Sequence, residues 1–545
     1  MATIDVTDPA REVRNQPPSL QPVDLFEIDL ALREALEREG GGWGVDRAHE
    51  AGSAAGSQAV LEHGRRAERN EPILRTHDRY GNRIDEVELD PSWHWLLRGA
   101  VERGLHGSPW REPRDGAHVV RAALFMLWSN VNGGVMCPVS MTYAVIPALR
   151  QSAPEIAHEW EQRLTRPDYD EGALAGMAMT ERQGGSDVRA NITRADPVGD
   201  GFYELHGHKW FCSYPPCDVF LVLAQTVAGL SCFFVERGPG MEFQRLKEKL
   251  GTRSLPSSEV EFRGIRARLV GEEGRGVPAI IRMVNHTRLD CLIGSASAMR
   301  RATVEALHHA RYRSAFGAPL IEQPAMRNVL ADLAIESEAA TVTALRVARS
   351  YDGAGGSPEP AFQRFATAVM KYWVCKRAPG LAGEALECLG GNGYVEESGM
   401  PLIYRDAPLN SIWEGSGNVA ALDVLRAIAS EPAGLPAFLA ECELAAGSDP
   451  RLDAHLRRVR EHTTAVFGDG SQSGEERVYE AQFQARRVAE DLALALQASL
   501  LVRHAPPAVA DAFCAARLGG EGGHAYGTLP AGADSGAIID RALPA

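Results

Sequence analysis

Lysine is almost absent from this 545-residue chain: only five of its 57 basic residues are lysine. Nearly all of its positive charge is therefore arginine, the side chain suited to bidentate recognition of phosphate and carboxylate. Cysteines number nine, and none forms a Cys-x-x-Cys pair, which points away from a disulfide framework and from a zinc site and towards a cytoplasmic protein that holds no metal. A membrane-length apolar run of roughly eighteen residues is missing as well; the most tempting stretch, 492–502, is broken by Gln497 and Ser499. Excess positive charge is lacking too, since 72 acidic residues against 57 basic give net −15, which argues against a uniformly basic surface that coats nucleic acid. There is no internal repeat, no long low-complexity tract and no Gly-x-Ser-x-Gly elbow.

At 45% hydrophobic residues a chain of this length buries more than one core, and length alone suggests roughly three or four domains. Residues 28–164 read as helices and loops; at Asp90-Pro91-Ser92-Trp93 an N-cap aspartate and a first-turn proline announce a helix. The texture then turns to short β runs, Val219–Leu223, Leu230–Val235 and Val260–Phe262, separated by glycine and proline. Helical periodicity returns over 277–429, interrupted near 353–360 and 390–399, and continues in further helical patterns over 451–466 and 475–502. The expected organisation is α+β: an N-terminal helical domain over 1–176, a β domain over 177–276, a helical bundle domain over 277–430 and a C-terminal helical extension over 431–545 that reads as a separate appendage.

Residues 411–418 read Ser-Ile-Trp-Glu-Gly-Ser-Gly-Asn and carry the best candidate for chemistry. Gly415 and Gly417 allow close approach of backbone to a ligand, which suits Glu414 as a base. Asn418 is the expected N-cap of a helix over 419–429, whose free N–H groups favour an anion. Two further segments could contact a flat, phosphate-bearing ligand: the loop Met177–Asp187, with its Gly-Gly-Ser-Asp turn, and the run His208–Ser213, which sets aromatics beside a hydroxyl. Taken singly, each also fits a plainer role, as a solvated carboxylate, a tight turn or core packing.

In this order the segments resemble the acyl-CoA dehydrogenase family of flavoproteins. The resemblance implies that family's fold: a helical domain, a small β-barrel or sandwich domain and a helical bundle, here with an extra C-terminal helical domain. It implies FAD, held by Met177, Met179, Thr180, Gly185 and Ser186 of the loop and by Phe211, Cys212 and Ser213, which replace a Trp-Ile-Thr strand. Arg313-Ser314-Ala315-Phe316-Gly317 with Gln323 looks like the element that reaches the FAD of a neighbouring subunit, implying a homo-oligomer, expected to be a tetramer. Gly391 lies in a matching glycine-rich turn, Tyr404-Arg405-Asp406 follows, and Ser416 stands where threonine is usual, beside Asn418. Glu414 takes the position of the catalytic base, with an acyl-CoA or an alkylating chemical as ligand.

Other features, among them Asn15-Gln16-Pro17, Cys137–Thr142 and the C-terminal extension, resemble the branch of this family associated with protection against DNA alkylation damage, which brings double-stranded DNA in as an expected partner. Residues 436–545 hold ten arginines, no lysine and fifteen acidic residues, net −5, so a DNA contact must come from a local cluster. Arg457, Arg458, Arg460, Arg486 and Arg487 are the candidates. The alternative is a flavoenzyme that oxidises a short or branched acyl thioester and has no DNA role.

Overall fold

The computed structural model describes residues 13–352, 359–467 and 474–543; most of the predicted 353–360 connection lies outside them. The first part is helical: α1 Leu30–Leu36, α2 Val45–Ala55, α3 Gln58–Arg69, α4 Pro91–Glu102, α5 Ser108–Arg111, α6 Ala117–Ser129, α7 Met136–Ser152 and α8 Pro154–Leu164. Helix α4 starts as its sequence predicts, with Asp90 accepting from the Ser92 N–H and Pro91 in the first turn. Nearly every residue of α6 and α7 is buried, so these two form the inner layer. An antiparallel hairpin, β1 Ile73–His77 and β2 Arg83–Glu88, interrupts the helices. It has no fully buried position, so it carries no apolar alternation to announce it.

The β part closes on itself. Strands β4 Arg194–Gly199, β5 Phe202–Cys212, β6 Val219–Thr226, β7 Gly229–Glu236 and β9 Ser258–Val270 pair in the cycle β6–β7–β9–β5–β4–β6, with β3 Ala175–Ala178 added to β6 and β8 Met241–Leu246 to β9. Closure satisfies the backbone groups that open edges would expose. The end of β3 leads directly into the 179–187 loop, and β5 ends at Cys212 beside it.

The bundle is built on α9 Gly276–Tyr312, of 37 residues. With it pack α10 Pro324–Arg349, α11 Pro360–Cys388 and the short α12 Met400–Asp406, α13 Gly417–Ser430 packs on α11, and a small hairpin, β10 Ser314–Ala315 and β11 Ala318–Pro319, follows α9. The extension contributes α14 Gly434–Glu443, α15 Pro450–Phe467, α16 Gly474–His504, α17 Pro507–Phe513 and α18 Ser535–Ala542. It does not stand apart as an appendage. Arg517 pairs with Asp332 and Glu336 of α10, Arg541 with Glu338 and Glu34, and Trp373 of α11 donates to Gln497 at 2.9 Å. Among the described residues no helix is long and apolar enough to cross a membrane, and no cluster of acidic, histidine or cysteine side chains could hold a metal.

One loop joins the three parts. Glu68 of α3 accepts from the N–H groups of Arg253 and Ser254, and Asp406 of α12 accepts from Thr252 at 2.6 Å. Burial, then the neighbouring Glu68 charge, pushes the Asp406 carboxyl up to about 7, with Arg405 and Arg301 opposing. A carboxyl raised by folding binds a proton that the unfolded chain has already lost, so its contribution to stability is full below the ordinary carboxyl range and declines as pH rises towards about 7. Asp406→Asn is expected to remove that decline, flattening denaturation midpoints against pH by the equivalent of ~4 kcal/mol; an unchanged profile would count against the assignment.

Candidate active site

Glu414 sits in a left-handed backbone conformation, φ 55°, followed by Gly415 at φ 104°. A non-glycine residue there costs energy unless its surroundings fix it, and two cations do so. Arg288 of α9 donates to the Glu414 carbonyl at 2.9 Å while Asp423 of α13 holds its guanidinium at 2.6 Å. Lys371 of α11 donates to the carbonyls of both Trp413 and Gly415, so the residues on either side of Glu414 share one ammonium. The carboxyl itself is buried, with Thr287 beside it, and its Oε2 has no hydrogen-bond partner. Burial raises its pKa above the ordinary range, against the opposing pull of Thr287, Arg288 and Lys371. A buried carboxylate oxygen with nothing to bond is a place where a ligand proton would be welcome.

The helix after it begins at Gly417, with Ser416 at the cap position and its hydroxyl unused in capping. Asn418 is therefore not the N-cap predicted from sequence but the second helical residue, and its Oδ1 accepts from Arg486 of α16 at 2.8 Å. Serine and asparagine cap equally well, and here the helix starts two residues earlier than the asparagine cap implies, just after the Gly415 carbonyl that Lys371 holds. A Cβ added to Gly417 would lie 3.0 Å from Lys376 and 3.3 Å from Arg486, so the glycine lets two cations close on this helix start and line it positively.

The 179–187 loop is fastened to the barrel by a buried ion pair. Glu181 and Lys209 are both fully buried, 2.8 Å apart, and Glu181 also accepts from the N–H groups of Ile192 and Thr193, while Lys209 donates to the Leu223 carbonyl. Although burial opposes ionisation, Lys209 and these hydrogen bonds hold the Glu181 carboxyl down at about 2. The Trp210 N–H donates to the Thr180 carbonyl at 2.8 Å, bringing Thr180 against β5. Met177 and Met179 are half-buried, and Gly185 and Ser186 lie exposed on the loop rim. Phe211 is half exposed, whereas Cys212, predicted to touch the flavin, is wholly buried in the barrel with its carbonyl accepting from Ser258, so the fold does not present it to a ligand; Ser213 contacts Cys137, which lies near Glu414.

The remaining predicted flavin residues lie elsewhere in the chain. Arg313 is 25 residues beyond Arg288 along the continuous path of α9, roughly 37 Å at the helical rise. Phe316, at φ 53°, projects from the β10–β11 hairpin almost wholly exposed, with Gln323 bracing Ala315 at 3.0 Å. Gly391, in the turn that ends α11, is tied to this end through Asn392. Two clusters thus form, one around Glu414 and one at the far end of α9.

The five arginines proposed for DNA have different surroundings. Arg458 reaches the Leu518 carbonyl, Arg460 pairs with Glu443 and Arg487 with Asp491. Arg486 turns to Asn418, and Arg457 is exposed. Sequence reasoning missed Glu181, Lys209, Arg288 and Lys371. A signal for the lysines was present: all five lie at or beside the site. Lys209 and Lys371 make the contacts above, Lys376 flanks Gly417, Lys247 sits 3.2 Å over the Trp210 ring, and Lys249 donates to the Leu255 carbonyl near Cys137.

Three family profiles match consecutive stretches of the chain: the N-terminal domain of the adaptive response protein AidB over residues 15–171, the acyl-CoA dehydrogenase middle domain over 176–265, and the acyl-CoA dehydrogenase C-terminal domain over 274–429. The chain is 41% identical to AidB of Escherichia coli (strain K12), over 94% of its own length and 95% of that protein. It is 32% identical to acyl-CoA dehydrogenase family member 11 of Caenorhabditis elegans, over 82% and 78% respectively. The crystal structure of Caenorhabditis elegans ACDH-11 in complex with C11-CoA superposes with a TM-score of 0.83 at 27% identity, covering 98% of this chain and 92% of that one.

Proposed function

Because this chain belongs to the acyl-CoA dehydrogenase family, and within it to the AidB branch, we propose that it is a FAD-dependent oxidoreductase acting on an acyl thioester, with Glu414 as its general base. The observation that carries this reading is the unpartnered, buried Oε2 of Glu414 on a backbone clamped by Arg288 and Lys371. A thioester presenting its α-carbon to that oxygen gives up a proton to a base whose raised pKa strengthens it. The clamp fixes the backbone that carries the carboxyl, and burial excludes water that would compete for it.

The residues of the site fit the cofactor. A helix start at Gly417 lined by Lys376 and Arg486, an uncommitted Ser416 hydroxyl, exposed Gly185 and Ser186 and a half-exposed Phe211 offer both anion contacts and an aromatic surface. FAD, when bound, supplies the acceptor for the hydride leaving the β-carbon, which no side chain can provide. Met177, Met179, Thr180, Gly185, Ser186, Phe211, Ser213, Ser416 and Asn418 hold it from one copy of the chain. Arg313, Phe316, Gln323 and Gly391 hold it from another, because the length of α9 separates them from Glu414. The assembly is accordingly a homo-oligomer, of tetrameric order by family resemblance. The test is turnover of an acyl-CoA series followed by flavin bleaching, wild type against Glu414→Gln.

A second reading, protection against DNA alkylation with duplex DNA held by the extension, rests on kinship with AidB and on the exposure of Arg457 and Arg487. It predicts salt-sensitive duplex binding that Arg457→Glu with Arg487→Glu weakens, lowering the log–log salt slope by about 2. Absence of salt-sensitive binding by the wild type would rule it out. Point substitutions are the appropriate tool, since cutting the chain near Glu431 would strip Arg517 and Arg541 from the buried Asp332, Glu336 and Glu338.

A further inference from the structure

The Asn15-Gln16-Pro17 segment, some 300 residues away in sequence, fastens the second cluster. The Asn15 side chain pairs with both backbone groups of Ser314, its Nδ2 donating to the Ser314 carbonyl at 2.8 Å and its Oδ1 accepting from the Ser314 N–H at 2.7 Å. Its own carbonyl accepts from the Arg313 guanidinium. Gln16 then accepts from Asn392 of the glycine-rich turn at 2.9 Å, and the Pro18 carbonyl meets His308 of α9 at 2.8 Å. Two residues therefore connect two separate elements, the hairpin after α9 and the turn after α11.

The hairpin needs such a brace. Its strands have two residues each, and a ribbon that short has no stability of its own. It also carries a strained Phe316 at its tip, almost wholly exposed among the described residues. Asn15 stands at φ 56°, a conformation that asparagine tolerates better than most residues, and this lets its amide face Ser314.

We infer that Asn15 and Gln16 are positioning residues for the shared cofactor site: they set Arg313 and Phe316 in a fixed relation to the glycine-rich turn, so that the surface offered to the FAD of a neighbouring copy is formed before FAD arrives. The inference rests on the reading that FAD is held between two copies. Ordering the hairpin in advance removes a conformational cost that binding would otherwise meet.

The experiment follows flavin release from the diluted holoenzyme by its fluorescence, with the thermal midpoint measured alongside. Asn15→Gly keeps the left-handed backbone accessible and deletes only the amide; it is expected to release FAD about tenfold faster, and Gln16→Ala about threefold faster, with midpoints at saturating FAD close to wild type. Asn15→Asp, which retains the acceptor for the Ser314 N–H, is expected to fall between wild type and Asn15→Gly. Release by Asn15→Gly within twofold of wild type, while Arg313→Gln releases FAD faster, overturns this inference alone. Unchanged release by Arg313→Gln as well overturns both this inference and the placement of FAD between copies.

Discussion

Glu414→Gln is expected to lower acyl-thioester turnover by about 10³-fold or more, while the purified protein stays yellow. The amide is nearly isosteric, and the groups that hold this loop, Arg288 and Lys371, bind the main chain rather than the carboxyl, so the backbone has no reason to move. What is lost is the capacity to accept a proton. In the wild type the same carboxyl sets the pH dependence: it works only when ionised, and burial holds its pKa above the ordinary range. Activity should therefore rise with pH through a single ionisation displaced upwards from a free carboxylate, and Lys371→Met, which removes an opposing positive charge, should displace it further. A Glu414→Gln protein that retains its flavin and turns over within tenfold of wild type would remove Glu414 as the base.

Lys209→Met should cause the largest loss of stability, about 3–5 kcal/mol, because it leaves Glu181 as a buried carboxylate without its cation. Glu181 holds the 179–187 loop through Ile192, Thr193 and Gln183 as well as through Lys209, so the damage centres on the loop that carries Thr180 and Ser186. Loss of FAD should accompany the lower denaturant midpoint. Replacing both partners, as Glu181→Met with Lys209→Met, should recover much of the stability, since no unpaired charge remains. It should recover less of the FAD affinity, because the hydrogen bonds that shape the loop stay broken. Equal stability of the single and double variants would show that the pair does not act as a unit.

The placement of Arg486 bears on both readings of function. Grouped by sequence with Arg487, it belongs to a candidate DNA cluster; in the fold it crosses to Asn418 at the start of α13 while Arg487 stays with Asp491 on its own helix. Adjacent residues on a helix point about 100° apart, which is enough to send one to Asn418 and leave the other on its own helix.

By itself the sequence determined the local elements and the chemistry they could support. The Trp-Glu-Gly-Ser-Gly run marks a tight loop before a helix because glycines permit the backbone it needs, and the loop ending in Gly-Gly-Ser-Asp is short-range in the same sense. Helices α4, α15 and α16 and strands β6, β7 and β9 follow from caps, turns and periodicity. The hairpin β1–β2 was invisible because neither of its faces is buried, and the register of α13 was ambiguous because Ser416 and Asn418 are both good caps. Only the tertiary structure decided what surrounds Glu414. Arg288 stands 126 residues and Lys371 some 43 residues away in sequence, and no local pattern brings them together. It also decided that the length of α9 holds the groups around Glu414 apart from Arg313 and Phe316, and that Arg460, Arg487, Arg517 and Arg541 of the extension pair with carboxylates rather than gather into one cluster. The reason is physical: a backbone conformation is set by its own residue and near neighbours, whereas burial, pKa and charge pairing are set by whatever packs against it.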